Sequence, residues 1–185
     1  MPINTHIPGS VDSSRKTFVG NFYKIGSLSS NGSQGVLTFN SIPQTYNHLK
    51  VIFSAGQPNT SAIWWNSQPA NGSYLDYLSY YNYGSTSSNS ATYNTYNFSS
   101  LAMTSDSNAF ITLNIDIFNY TSSIITKSMH IWGGHVNSST GVFIEQESIY
   151  VADSNPITSL NFAVTPQPSS NYFTAGSTID LYGIK

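Results

Sequence analysis

Residues 109 to 118 of the chain read Ala109-Phe110-Ile111-Thr112-Leu113-Asn114-Ile115-Asp116-Ile117-Phe118. Aliphatic residues occupy every second position of this stretch, at Ile111, Leu113, Ile115 and Ile117. A period of two predicts a β-strand with this row in a core and the other row, Thr112, Asn114 and Asp116, facing water or an interface. A helix would scatter the aliphatic residues around its circumference, whereas β-branched side chains favour an extended backbone. The stretch therefore predicts a strand.

A second strand is predicted directly after the first. Residues 119–123 (Asn-Tyr-Thr-Ser-Ser) form a polar turn, the next strand runs from Ile124 to Trp132, and Gly133-Gly134 ends it. Two long neighbouring strands make a hairpin, and a hairpin needs further structure against which to bury its apolar face. The rest of the chain is expected to supply that structure.

The other predicted elements are also short strands. They cover residues 17–25, 36–40, 49–55, 74–83, 93–101, 142–151, 157–164 and 178–182. Residues 56–73, which include Trp64 and Trp65, are predicted to form a long connection, and residues 84–90 a low-complexity loop. No segment has ten residues of helical periodicity. Short strands at hairpin spacing with Gly, Pro and Asn between them predict an all-β chain, an antiparallel β-sandwich or jelly roll.

Composition narrows the class of protein. A chain of 185 residues with 8% charged residues is poorer in charge than an ordinary soluble domain, which has about 25%. The formal net charge of −2 provides no basic field for nucleic acid, and the absence of cysteine excludes disulfides and a thiol nucleophile. The N-terminus lacks the apolar run of a signal peptide, and no stretch is apolar enough to insert into a membrane. We expect synthesis in a cytoplasm without secretion.

The N-terminal segment differs from the rest of the chain. Residues 1–16 lack periodicity and are predicted to be an extended arm in front of a single domain at 17–185. The arm holds isolated aliphatic residues and one basic pair: Ile3, Ile7, Val11, Arg15 and Lys16. Such a segment could add to an exposed strand edge of a partner and place its aliphatic side chains in shallow pockets. A mobile leader without a role is the alternative.

Candidates for chemistry are few. Glu145 and Glu147 lie two apart on one predicted strand, roughly 7 Å between Cα atoms, a spacing that could suit a retaining glycosidase, but a solvated strand edge is the simpler interpretation. His130 and His135 flank Trp132-Gly133-Gly134 without a third metal ligand at a recognisable spacing. We therefore predict no catalytic residue, no metal site and no cofactor, and hence a protein that is not an enzyme.

Aromatic residues are concentrated in one region. Within twenty residues lie Trp64, Trp65, Tyr74, Tyr77, Tyr80, Tyr81 and Tyr83, interleaved with Asn and Ser. Flat rings beside amide groups could stack on sugar rings and hydrogen-bond their hydroxyl groups, as a glycan-binding surface requires. Packing in the core and against a neighbouring subunit is the competing interpretation, because interfaces favour Tyr and Trp.

Two stretches resemble a family of small tailed-phage virion proteins. The first runs from Val36 through the corner Phe39-Asn40-Ser41-Ile42-Pro43-Gln44-Thr45-Tyr46 to Leu49, and the second is the C-terminal strand Gly176 to Lys185 with its Leu181-Tyr182-Gly183. The Asn119-Tyr120 turn is also similar. The likeness covers most of residues 17–185, with divergent middle loops and a longer arm than the family's short leader. Its motifs are structural rather than catalytic.

The resemblance implies a β-sandwich located on a phage particle and made in the host cytoplasm. The first expectation is a capsid decoration or cement protein that stabilises the shell by bridging major capsid protein subunits, since burying more surface between them makes the lattice harder to open. The particle symmetry of that family implies a homotrimer. The alternative is a receptor-binding or tail-fibre tip module that recognises host-surface glycan through the aromatics between Trp64 and Tyr83.

Overall fold

The computed structural model describes residues 22–56, 62–69, 77–83, 88–94, 99–101, 110–137, 141–151, 154–165 and 172–185; for 62–101, 135–147, 149, 150 and 165 the description covers the backbone alone. Within these ranges the chain forms twelve strands: β1 (Phe22–Ser29), β2 (Val36–Phe39), β3 (His48–Gly56), β4 (Ala62–Pro69), β5 (Tyr77–Tyr83), β6 (Ser88–Asn94), β7 (Ser99–Leu101), β8 (Phe110–Phe118), β9 (Lys127–Asn137), β10 (Gly141–Val151), β11 (Ile157–Thr165) and β12 (Thr178–Ile184). These same ranges contain no helix.

The strands form two antiparallel sheets. The larger has eight strands in the order β1-β12-β3-β8-β9-β10-β5-β6, and the smaller has four in the order β2-β11-β4-β7. Strand β8 lies inside the larger sheet, where it pairs along its whole length with β3 and along most of it with β9. The all-β, antiparallel prediction is confirmed.

The period-two pattern of β8 corresponds to burial. Ile111, Leu113, Ile115 and Ile117 are all buried, whereas Thr112 is exposed and Asn114 and Asp116 are partly exposed. The same alternation holds in β3, where Leu49, Val51, Phe53 and Ala55 are buried. Paired residues of antiparallel strands lie on the same face of a sheet, so the aliphatic rows of β3 and β8 form one continuous apolar surface.

The core contains residues from both sheets. Leu160, Phe162 and Val164 of β11 are buried in the same cluster as the apolar rows of β3 and β8. The rings of Phe53 in the larger sheet and Phe162 in the smaller have centroids 5.6 Å apart. Aromatic rings at this separation add to the stabilisation that comes from their buried area. The apolar face of the central hairpin is thus covered, as a hairpin requires.

The corner between β2 and β3 is held by contacts to distant parts of the chain. Ile42 is buried, and the carbonyl of Pro43 accepts a hydrogen bond from the hydroxyl of the buried Tyr120. The ring of Tyr46 lies where a side chain at Gly183 would project, because a Cβ there would be 2.3 Å from Tyr46 Cγ. The motif residues of the corner and of the C-terminal strand therefore pack on one another, which explains why residue 183 must be glycine.

The second strand of the central hairpin differs from the prediction. β9 begins at Lys127 rather than Ile124, and it continues through Gly133-Gly134 to Asn137. Ile124 and Ile125 belong to the turn, because the Ser122 Oγ accepts hydrogen bonds from both of their backbone N–H groups. The glycine pair does not end the strand, because both residues pair with β8 and β10.

Other predicted boundaries are also corrected. Trp64 and Trp65 lie on β4 and not in a connection, and β4 pairs with β11 across eight register positions. The predicted strand 93–101 is two strands in different sheets, β6 in the larger and β7 in the smaller. The first strand was predicted at 17–25, but β1 extends to Ser29 with a bulge beyond Lys24; residues 17–21 lie outside the described part.

Candidate functional site

The surface that stands out is the face of the eight-stranded sheet that points away from the core. Its position follows from the register: because Ile115 and Ile131 are buried partners, their neighbours along β8 and β9 lie on the opposite face. We call this surface the outer face. Across β12, β3, β8 and β9 its two central rows are Tyr182, Lys50, Asp116 and His130, and Asp180, Ile52, Asn114 and Trp132.

Large apolar side chains are exposed on the outer face. Trp132 is 54% exposed, and the register pairs it with Asn114, which is paired in turn with Ile52, 39% exposed. An indole in the middle of a sheet face, with an amide beside it and no covering element among the described residues, is costly to leave in water. Exposed large apolar residues that cluster in this way are typical of interaction surfaces.

A depression lies on the β1 side of the outer face. It has a volume of about 200 Å³ and is lined by Phe22, Lys50, Ile52 and Tyr182. The Lys50 ammonium group is held by Asp116 Oδ1 at 2.8 Å, so the lysine is fixed beside the depression by an ion pair. The volume is below the ~300–1,000 Å³ of small-molecule sites, which suits an apolar side chain better than a free ligand.

Ion pairs hold the polar side chains of the outer face in place. Besides the pair between Lys50 and Asp116, Lys24 Nζ lies 2.9 Å from Asp180 Oδ1, and Ser27 donates a hydrogen bond to the same oxygen. The Ser27 hydroxyl and the Lys24 ammonium lower the pKa of Asp180 below its ordinary value. Because the folded pKa is lowered, this carboxylate stabilises the fold above its unfolded pKa and loses that effect as the pH falls through the folded pKa.

One end of the outer face is aromatic. The Phe118 ring contacts His48 and His130 edge-on, with centroid separations of 5.3 Å and 5.4 Å. The Asn119 backbone N–H donates to His48 Nδ1 at 3.2 Å, which orients the imidazole. His48, Phe118 and His130 therefore form an ordered group of rings rather than scattered exposed residues.

The aromatic residues that the sequence singled out do not share one sheet. Trp64 and Trp65 lie on β4 of the smaller sheet, whereas Tyr77, Tyr80, Tyr81 and Tyr83 lie on β5 of the larger sheet. Tyr74 lies outside the described residues, as does the whole arm with Ile3, Ile7, Val11, Arg15 and Lys16. The structure thus divides the candidate aromatic group between two sheets.

Glu145 and Glu147 both lie on β10, at register positions opposite Gly133 and Ile131. His130 is exposed on β9, and His135 lies on the same strand. The described part of the chain contains no group of three His, Cys, Asp or Glu residues placed to hold a metal ion. Its residues also include no helix long and apolar enough to cross a membrane.

Comparison with known proteins identified no relative of this chain. No protein-family model, no curated protein and no solved structure matches it. The interpretation of the outer face therefore depends on its own geometry.

Trp132 was not identified as a surface residue from the sequence, although the alternating pattern around it indicates that position. In the stretch from Ser128 to Trp132, Met129 and Ile131 form one alternating row, so Ser128, His130 and Trp132 must form the other. Once the row of Met129 and Ile131 is placed in the core, Trp132 is expected on the outer face.

Proposed function

We propose that this chain is a structural protein of a phage virion, a capsid decoration or cement protein that bridges neighbouring major capsid protein subunits. In this proposal the two sheets form a β-sandwich of jelly-roll type, residues 1–16 form an arm in front of it, and the protein acts as a homotrimer made in the host cytoplasm. The proposal is supported by the motifs at Phe39–Tyr46 and Leu181–Gly183, which pack on one another through Tyr46 and Gly183.

The observation that carries the proposal is the exposed Trp132 at the centre of the outer face. A protein that lies flat on a lattice needs a broad surface with an apolar centre and a polar rim. The outer face has these parts, because Trp132 lies centrally and the ion pairs of Lys50 and Lys24 lie towards the β1 side. Tryptophan is also the residue type most often found as an energetic hot spot of interfaces.

Trp132→Ala is the substitution that tests the role of the outer face. We expect binding to particles that lack the protein to weaken at least ~30-fold, the equivalent of a hot spot of ~2 kcal/mol. The matched control is Val36→Ala, which shortens another exposed apolar side chain on the smaller sheet. Binding affinity is measured by titrating purified protein onto depleted particles. Equal affinities for Trp132→Ala and wild type would exclude the outer face as the docking surface.

A second function is favoured by the same tryptophan. The exposed indole of Trp132 can stack on a sugar ring, while the Asn114 amide and the Asp116 carboxylate beside it hydrogen-bond the hydroxyl groups of the sugar. The alternative function is therefore a receptor-binding or tail-fibre tip module that recognises host-surface glycan. Copy number separates the two functions: hundreds of copies per particle, by gel densitometry, indicate the head, and a few tens or fewer indicate the tail. Binding of host polysaccharide that is lost in Trp132→Ala would favour the alternative.

The arm provides a further prediction of the decoration function. Deleting residues 1–16 is expected to leave the domain folded while particle binding weakens at least tenfold, about 1.4 kcal/mol. The reason is that an extended segment can add main-chain hydrogen bonds to a partner's strand edge, and these repay the entropy lost on ordering. Circular dichroism checks the fold, and titration onto depleted particles measures the affinity. Unchanged affinity would show that the arm does not dock.

The proposal includes no catalytic role for Glu145 and Glu147. We expect the double variant Glu145→Gln/Glu147→Gln to bind particles like the wild type, because the register places both residues in the row of Gly133 and Ile131 and not in the outer-face row of His130 and Trp132. The measurement is reducing-sugar release from host polysaccharide by wild-type protein and by the double variant. Hydrolysis by the wild type that disappears in the double variant would instead identify a glycosidase pair.

A further inference from the structure

The turn between β8 and β9 presents two isoleucines to solvent. Ile124 is 88% exposed and Ile125 is 57% exposed, the former being the highest value among the large apolar residues of the described part. Two adjacent aliphatic side chains at the tip of a turn are unfavourable in water unless another molecule covers them. We call these two residues the isoleucine tip.

The isoleucine tip is held by a dense set of hydrogen bonds. Ser122 Oγ accepts hydrogen bonds from the N–H groups of Ile124 at 3.1 Å and Ile125 at 2.7 Å. The carbonyl of Ser122 accepts a hydrogen bond of 2.8 Å from the ammonium group of Lys127, whose side chain is buried. The tip is thus fixed before any partner arrives, which lowers the entropy lost on binding.

The base of the turn is equally well anchored. Tyr120 is buried, its hydroxyl donates to the Pro43 carbonyl, and its own carbonyl accepts from the Ile157 N–H at 2.8 Å. Hydrogen bonds from Tyr120 to two distant segments, at Pro43 and Ile157, therefore support a turn whose tip residue Ile124 is left largely exposed. Support of this kind is expected where a side chain must be presented to a partner in a defined position.

A complementary surface is present on the same chain. The depression lined by Phe22, Lys50, Ile52 and Tyr182 is apolar and has a volume of about 200 Å³, a size for aliphatic side chains. Phe22 is 53% exposed at its rim, so the depression is also incompletely covered. Both features lie at the same end of the larger sheet, because the row through Phe22, Ile184, His48 and Phe118 is the last before the turn.

The tip cannot fill the depression of its own molecule. Strand β3, which carries Ile52, pairs directly with β8, but Ile52 lies four residues along β3 from His48 at the turn end, about 13 Å at the usual rise of a strand. The 88% exposure of Ile124 shows that its side chain is not inserted into this depression. The two apolar features can therefore meet only between two molecules.

We propose that the isoleucine tip of one molecule inserts into the depression between Phe22, Ile52 and Tyr182 of a second copy of the same chain. A tip and a depression at different places on one surface generate a reciprocal dimer or a head-to-tail contact, and the latter closes into a ring when the rotation between copies allows it. The contact names the residues through which the homo-oligomer of the proposed function would form, and in that respect it rests on that function. A lipid surface is a poorer occupant, because the described turn 119–127 offers no exposed cation to anionic headgroups: Lys127 is buried.

Cross-linking tests the contact directly, because the natural chain contains no cysteine. Full-length Ile124→Cys is mixed with full-length Ile52→Cys that carries a size tag, and the mixture is oxidised. A disulfide between the two chains is expected, since a bridge forms when the Cα atoms approach to about 4.4–6.8 Å. The matched control replaces Ile52→Cys by Thr178→Cys, an exposed position on β12 away from the depression, and should give no bridge. A mixed disulfide absent from the first pair, or equal in both, would overturn the proposal.

Sedimentation of purified full-length protein provides an independent test. Wild type is expected to associate as concentration rises, and Ile124→Asp/Ile125→Asp should weaken association about 100-fold, roughly tenfold for each isoleucine no longer buried. Ser123→Asp is the control for the introduction of charge, because it adds one negative charge next to the tip and removes no apolar group. Ile52→Lys combined with Ile124→Asp should restore association, since the new charges would meet between copies.

The outcomes separate this contact from the capsid role. Wild type that stays monomeric up to ~1 mM, or association unchanged by the aspartate variant, would overturn the contact. Both measurements use protein without particles, whereas the proposed function is tested by particle binding of Trp132→Ala. An oligomer that forms through the tip but does not bind particles would leave the contact standing and remove the capsid role.

Discussion

Leu113→Ala is expected to lower the free energy of unfolding by about 2–5 kcal/mol, because a fully buried leucine is replaced and the cavity closes only in part. Leu113 lies in the middle of β8, where the register places it between Phe53 of β3 and Gly133 of β9. Neighbours in two strands of one sheet are poorly able to move into the space, since each is held by its own ladder of hydrogen bonds. The measurement is urea unfolding followed by circular dichroism.

Thr112→Ala serves as the matched control for this substitution. It lies one position earlier on the same strand but on the exposed row, so its effect should remain within the ~1 kcal/mol span of strand propensities. A comparison within one strand removes differences in position along the sheet. If both variants lose equal stability, the assignment of the Leu113 row to the core is wrong.

The success of the β8 prediction and the failure at Ile124 have a common cause. In β8 the alternation is long enough that burial and backbone preference agree, and Ile111 to Ile117 are all buried. Ile124-Ile125 has the same β-branched composition, which favours a strand, but the Ser122 hydroxyl binds their N–H groups and keeps them in the turn. Local side-chain hydrogen bonds compete with strand ladders, and a residue-type preference does not include them.

Two other errors in the predicted strands concern the glycine pair in β9 and the tryptophan pair in β4. Gly133-Gly134 was expected to end a strand because glycine is depleted there, yet β9 requires a glycine at 133 to admit the backbone of β8. The segment around Trp64-Trp65 has no alternation and ends at Pro69, so it gave no strand signal. Its pairing with β11 joins residues almost one hundred positions apart, which a reading of local periodicity does not detect.

The candidate site could be predicted in part. The position of Trp132 follows from the alternation of Met129 and Ile131 once that row is placed in the core. The depression does not follow from any local pattern, because Phe22, Ile52 and Tyr182 meet through pairings of β1 with β12 and of β12 with β3. Knowledge of strand order is needed for the second surface and not for the first.

Gly133→Ala is expected to lower the free energy of unfolding by about 3 kcal/mol or more, at or above the upper end of the usual overpacking range. A Cβ at this position would lie 2.0 Å from the Thr112 carbonyl oxygen and 2.9 Å from Leu113 Cα. Both are backbone atoms of β8, so relief requires the strand itself to move. The gain of ~0.4–1 kcal/mol that alanine brings by restricting the unfolded chain is too small to compensate. Urea unfolding measures the difference.

Gly26→Ala is the control for Gly133→Ala, because it also replaces a strand glycine. Its Cβ would lie 3.3 Å from Phe39 Cε1, a side-chain atom that can shift by a few tenths of an ångström, so the loss should stay below about 1.5 kcal/mol.

Combining Gly133→Ala with Leu113→Ala gives a second check. The double variant removes the close contact with Leu113 Cδ2 but leaves the Thr112 carbonyl oxygen in place, so it should not regain the stability of Leu113→Ala alone. Recovery to that level would show that side-chain crowding, and not the approach of the two backbones, is what requires glycine at this position.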